Sequence, residues 1–283
     1  MHFPLPLRHV RAGSKDSMLA MMAVTISAGL IHRNFEANML WGDGNTIRGV
    51  TDHFLPYVRS VDADFSGVRI FGQDSWGTMC LDALSADDPR AFEYWFNRDF
   101  FNPLSSLGFK HANGFFPWSA YPPKHIAKPG DQLPAYDLLI DRLGGLDIAL
   151  VVPGATNGHV GFAEAGYAAE DVWLQTPSIC CALEEGTRND DKGYPGCNGD
   201  ITRVPLTANT ITPGTLVNVL NPGGTLVVGA YGRRNARNVV AMLGKGEIGP
   251  QIPISFIAMM AKIRPDVEVI VFTEPESRYL LAA

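Results

Sequence analysis

The chain has 283 residues, 46% of them hydrophobic and 18% charged, the composition of a globular fold with ample length for a core. A net charge of −6 without a dense basic run excludes a general nucleic-acid binder, although an acidic protein still holds a phosphate locally through backbone amides and one or two cations. The four cysteines, Cys80, Cys180, Cys181 and Cys197, lack the C-x-x-C spacing of a zinc site, so reduced thiols and no metal are expected.

Arg8, His9, Arg11 and Lys15 precede an apolar stretch over 18–31 that imitates a signal peptide. A helix over 14–36 is the better reading. Ser14 or Ser17 caps it, Thr25, Ser27 and Gly29 interrupt the apolar run, and the run falls short of the about 20 residues that span a bilayer. A short strand at 38–41 follows and enters Gly42-Asp43-Gly44-Asn45-Thr46, then a helix over 47–59. Strand, glycine turn and helix aim free N–H groups at an anion, but the spacing is neither a Walker loop nor a dinucleotide motif, and a plain tight turn is the more ordinary reading.

A strand at 68–71 ends in Gly72-Gln73-Asp74-Ser75-Trp76-Gly77, where an Asp serves as a helix cap more often than as a catalyst. Residues 85–104 form an aromatic-rich helix read as core packing, and a Pro- and Gly-rich connection covers 114–134. A helix over 135–143 stops at Gly144-Gly145. Residues 165–200 are loop-rich. Strands follow at 203–212, 225–230 and 267–273, with helices from 236 to 243 and over 250–264 between the last two. About six apolar strands alternating with helices predict one α/β domain over 1–283: a three-layer, mostly parallel open sheet flanked by helices.

The stretch 147–164 organises the chain. It opens as a continuous apolar run, as a strand buried on both faces would, and stops at Pro153-Gly154. Thr156, Asn157, His159 and Glu164 then arrive together. An open α/β sheet presents chemistry in this way at the carboxyl end of a central strand, and an ordinary strand-to-loop junction with a solvated His fits the spacing too.

The stretch resembles the signature of the glucosamine-6-phosphate deaminase/isomerase family, with Gly158, His159, Phe162 and Glu164 in register, Asn157 where the family has Asp, and Ala163-Glu164-Ala165 for Asn-Glu-Pro. The resemblance runs from about residue 14 to 277. It implies aldose–ketose isomerisation with loss of ammonia from a hexosamine 6-phosphate, without cofactor or metal. Asp74 would carry the proton from C2 to C1, His159 would move the ring-opening proton, and Glu164 and Asn157 would support His159. Gly44, Asn45, Thr46 and Arg234 would hold the phosphate, the segment at about 165–200 would be lid-like over the site, and Arg188 and Arg203 are further phosphate candidates or solvated loop charges.

Ser75 replaces a family Glu, and Asp43 sits beside the phosphate loop. Two unit charges 4 Å apart at an effective dielectric of 20 repel by about 4 kcal/mol, so Asp43 points away or the ligand differs. A divergent member is therefore expected. The alternatives are a 6-phosphogluconolactonase-like hydrolase, which the Phe-x-Glu pattern opposes, and a non-catalytic sugar-phosphate binder. The expected partner is a small sugar phosphate, with neither nucleic acid nor membrane, in the cytoplasm; the resemblance is compatible with a monomer or a homo-oligomer.

Overall fold

The computed structural model describes residues 7–42, 44–75, 88–109, 121, 126–194 and 196–274. Asp43, Trp76, Gly77, Cys80, Pro195, the start of the 85–104 helix, most of the 114–134 connection and the chain after Glu274 lie outside the described residues.

The basic segment ahead of the first helix is itself a strand, β1 (Leu7–Arg11), and Arg8 reaches Glu268 at 3.2 Å. Helix α1 (Lys15–His32) starts in a capping box in which Ser14 and Ser17 each satisfy the other's backbone N–H. Met18, Met22, Ile26 and Leu30 recur every fourth residue and are buried, while Met21, Val24 and Ile31 stay exposed. The signal-like run is therefore two faces of one helix, a buried one and an exposed one. Strand β2 (Ala37–Trp41) is buried along its length, as a central parallel strand must be. Helix α2 (Asn45–Ser60), strand β3 (Val68–Gly72) and the two-residue β4 (Asp74–Ser75) follow.

The expected aromatic helix is three short pieces: α3 (Phe92–Trp95), a π-helical turn (Phe96–Phe101) and α4 (Asn102–Ser105). Pro103 has no N–H to donate into a regular helix, and the Asn102 N–H ahead of it reaches back to the Asn97 carbonyl. The aromatic rings do pack the core. Trp41 stacks on Phe100 at 4.4 Å between centroids and lies 5.2 Å from Phe54. Trp41→Ala is expected to destabilise the fold by about 3–5 kcal/mol, read as a lower urea midpoint with an unchanged slope.

Helix α5 (Pro134–Arg142) leads into the central strand β5 (Leu146–Val151). The segment over 165–200 is less irregular than its composition implies: it holds β6 (Ile179–Ala182) and α6 (Glu185–Asp191). The strand expected over 203–212 is a 3-10 turn (Ile201–Arg203) followed by the shorter β7 (Thr207–Thr210). Helix α7 (Pro213–Val219), strand β8 (Leu220–Ala230) and helix α8 (Ala236–Met242) come next. Helix α9 (Phe256–Ile263), entered through a 3-10 turn (Pro253–Ser255), precedes β9 (Glu268–Thr273).

Six strands form one sheet in the order β1-β9-β8-β5-β2-β3, and the pairings between its neighbours are parallel. Two apolar clusters, one on α1 and α2 and the other on α5, α7, α8 and α9, cover it, giving the expected mostly parallel α/β architecture. A second sheet, β4-β7-β6, is antiparallel. The chain runs outward from β2 to β3 on one side and from β5 to β8 and β9 on the other. The switch point of the order therefore lies between β2 and β5, and the crevice beyond their carboxyl ends is where an open α/β sheet binds its ligand. Among the described residues, no helix is long and apolar enough to cross a membrane.

Candidate active site

A cleft occupies that crevice. Its walls bring together Gly44, Asn45 and Thr46 from the start of α2, Gln73 and Asp74 after β3, Gly154 and His159 after β5, and Thr187, Asp190, Asp191 and Tyr194 from the 165–200 segment.

The turn after β5 is closed tightly. The Gly154 N–H donates to the His159 carbonyl at 3.0 Å, and the Gly158 N–H to the Gly154 carbonyl at 2.8 Å. Gly158 has φ +72°, which favours glycine, and a Cβ there would meet Asn238 Oδ1 at 2.7 Å. Asn238 on α8 donates to the Gly154 carbonyl at 3.0 Å and pins the turn from outside. A Cβ on Gly154 would fall inside contact distance of the His159 ring, so this glycine leaves the imidazole its place.

His159 lies in a polar network. Its backbone N–H and ring Nδ1 lie 3.2 and 2.9 Å from Asn157 Oδ1, while Glu164 Oε2 stands 3.4 Å from Nδ1. The shorter contact takes the Nδ1 proton, and Glu164 acts chiefly through its charge. Nε2 is then the ring nitrogen that serves the cleft. The Asn157 amide donates to Glu164 Oε2 at 2.6 Å and to Glu184 Oε2 at 2.9 Å, which fixes which end of the amide carries nitrogen. The Glu184 N–H donates to Glu164 Oε1 at 3.2 Å.

Burial pulls the His159 pKa down, but Glu164, with Asp191 and Glu184, outweighs it and leaves the imidazole above its ordinary value. Burial likewise pushes Glu164 up, and His159, Thr187 and Asn157 together bring it below its ordinary value. Glu164 therefore stabilises the fold above its unfolded value near 4.5, and that gain is lost as pH falls through the lowered folded value. His159 stabilises it below 6.5, and the gain is lost as pH rises through the raised folded value. The stability difference between wild type and Glu164→Gln, read from urea midpoints, is expected to be greatest between pH 4.5 and 6.5 and to shrink on both sides.

Asp74 is 4% exposed and lines the same cleft as His159. Its backbone pairs with Thr210 in the small sheet, and the Gln73 N–H donates to the Trp41 carbonyl at 3.0 Å, so the backbone that carries the carboxylate is tied to both sheets. Thr210 Oγ1 also accepts the Phe162 N–H at 2.8 Å and ties the His159 loop to the same strand. Gly161, with φ +57°, keeps the space beside Asp74 Oδ2 and Thr210 Oγ1 clear.

Asp74, His159, Asn157, Glu164, Gly44, Asn45 and Thr46 are thus gathered at or directly behind one cleft. Arg234 does not line the cleft but binds Asp190, which does. The guanidinium grips Asp190 at 3.1 Å to each carboxylate oxygen and Thr156 Oγ1 at 2.9 Å. Arg188 turns away: one guanidinium nitrogen reaches the carbonyls of Ile201 at 2.9 Å and Val204 at 3.3 Å, binding α6 to the following turn. Neither Arg188 nor Arg203 lines the cleft, and among the described lining residues there are three aspartates and no lysine or arginine. Gln73, Glu184, Asp190, Asp191 and Tyr194 escaped the sequence reading. The first stands beside Asp74, and the others sit in a segment whose composition reads as solvated loop. Among the described residues, no cluster could hold a metal ion.

No family model matches the chain. A glucosamine-6-phosphate deaminase of Bacillus velezensis is 28% identical over 257 residues, 89% of this chain and 92% of its own length. Glucosamine-6-phosphate deaminase 1 of Bacillus subtilis is 25% identical over 265 residues, 92% and 94% of the two chains. The solved structure of a monomeric glucosamine-6-phosphate deaminase superposes with a TM-score of 0.74 at 23% identity, covering 97% of this chain and 100% of its own. A 6-phosphogluconolactonase of Trypanosoma brucei gives 0.62 at 13% identity, covering 98% and 100%. The chain is thus similar to the glucosamine-6-phosphate deaminases over most of its length and carries the fold that they share with the 6-phosphogluconolactonases.

Proposed function

We propose that the chain converts a hexosamine 6-phosphate and water into a ketohexose 6-phosphate and ammonia. The observation that carries this reading is the convergence of a buried carboxylate, Asp74, and an imidazole held through Nδ1, His159, on one cleft at the switch point of the sheet. Each group has its task. The Nε2 of His159 passes a proton to the ring oxygen as the sugar opens. Asp74 takes the proton from C2 of the open aldehyde and returns it at C1, which leaves an imine at C2 that water hydrolyses to the ketone and ammonia. A base that collects and returns the same proton needs shelter from bulk water, and the burial of Asp74 supplies it.

The phosphate takes the free N–H groups of the first turn of α2, which carries no acidic residue and no side-chain cap. Arg234 completes this site by leaving Asp190. Exposed ion pairs contribute only about 0–1 kcal/mol, so a dianionic phosphate displaces Asp190 at little cost. The 165–200 segment forms one wall of the cleft and acts as its lid.

The test measures ammonia and ketohexose 6-phosphate together from glucosamine 6-phosphate and galactosamine 6-phosphate, beside unphosphorylated glucosamine. Equal release of both products from a phosphorylated sugar supports the reading. Release from unphosphorylated glucosamine alone would remove the phosphate from it, and release from none would overturn it.

A further inference from the structure

Asn157 holds His159 with its carbonyl, and two carboxylates hold Asn157. The amide donates one hydrogen to Glu164 and the other to Glu184, at 2.6 and 2.9 Å. Glu184 comes from a different part of the chain, as the residue that precedes the first turn of α6, and its own N–H closes the arrangement on Glu164. An acceptor-only carboxylate at position 157 would set three carboxylates against one another, so the amide is required by its neighbours.

We propose that Glu184 is a positioning residue for the reaction: with Glu164 it clamps the Asn157 amide, whose carbonyl then holds the imidazole of His159 with Nε2 toward the cleft. The inference rests on the proposed proton-moving role of His159, but its geometry does not. It also makes the charge of His159 depend on the docking of α6, which brings Glu184 and Asp191 to the imidazole. Of the other charged groups near the ring, Glu164 stands 3.4 Å from Nδ1, Asp74 lines the same cleft, Asp190 is bound by Arg234, and Arg188 is turned to the Ile201 and Val204 carbonyls.

The experiment follows the imidazole by NMR titration, with the His159 resonance assigned by its loss in His159→Gln, in wild type, Glu184→Gln, Asn157→Asp and the double variant. Glu184 is exposed, so replacing it leaves the core intact. Glu184→Gln is expected to lower the His159 titration midpoint by about 0.5 pH unit or more, the effect of one carboxylate at this remove. A midpoint within about 0.1 unit of wild type, a small fraction of the shift a neighbouring charge produces, overturns the proposal. This result is read whether or not the protein deaminates a sugar, so the failure of the inference and that of the proposed function are told apart.

Activity supplies the second arm. Asn157→Asp alone is expected to lose about tenfold or more in kcat/KM, because one carboxylate of three must be neutralised or displaced. Adding Glu184→Gln, whose amide can donate to the new carboxylate at position 157, is expected to recover most of that loss. A double variant that loses the product of the two single losses contradicts the clamp.

Discussion

Asp74→Asn is expected to reduce kcat for ammonia release by about a thousandfold, within the 10²–10⁴ range that a positioned general base contributes, with KM changed little. The amide matches the carboxylate in size but cannot accept the C2 proton. The side chain is buried and its backbone is paired with Thr210, so it has little freedom to move aside for another group. Circular dichroism and thermal melting should match wild type, since the change is isosteric. A loss in KM with kcat retained would reassign Asp74 to substrate binding.

Gly154→Ala is expected to reduce kcat by about a hundredfold through geometry alone. The φ of Gly154 is not positive, so alanine is tolerated by the backbone; the obstacle is the His159 ring, which stands inside contact distance of the new methyl. The turn has little room to yield, because Asn238 holds the Gly154 carbonyl and the Gly154 N–H is bonded to His159 itself. The imidazole must therefore move, and its Nδ1 contact with Asn157 lengthens. The His159 imidazole resonances should shift in the same variant. Unchanged kinetics with unchanged resonances would show that the ring is not fixed where the reaction needs it.

The parallel sheet was legible because its strands are apolar runs punctuated by glycine and proline, the pattern of strands buried on both faces. The small antiparallel sheet was not legible as a sheet. Its β7 lies inside the strand expected over 203–212, but it reads Thr-Ala-Asn-Thr, polar by composition and yet buried at all four residues, so neither its bounds nor its antiparallel partners could be read locally, and β4 is only two residues long. Tertiary pairing, not local pattern, makes these strands.

The same division holds at the site. His159, Asn157 and Glu164 lie within eight residues of one another after a single strand, so chain order alone places them together. Asp74 required the resemblance, because a strand-end Asp reads first as a cap. Glu184, Asp190 and Asp191 sit on or beside a short helix that β6 carries to the cleft, and nothing in their local sequence separates them from solvated charges. Arg188 shows the opposite failure. Its chemistry suits a phosphate, but two backbone carbonyls claim the guanidinium first.

One event is central to the proposed reaction, the passage of a proton from C2 to C1 of an amino sugar phosphate by Asp74. The direct measurement is an NMR time course with glucosamine 6-phosphate and galactosamine 6-phosphate labelled with deuterium at C2. The predicted result is ammonia together with a ketohexose 6-phosphate that carries part of the label at C1, both lost in Asp74→Asn. Both sugars returned intact with the label still at C2 would contradict that role.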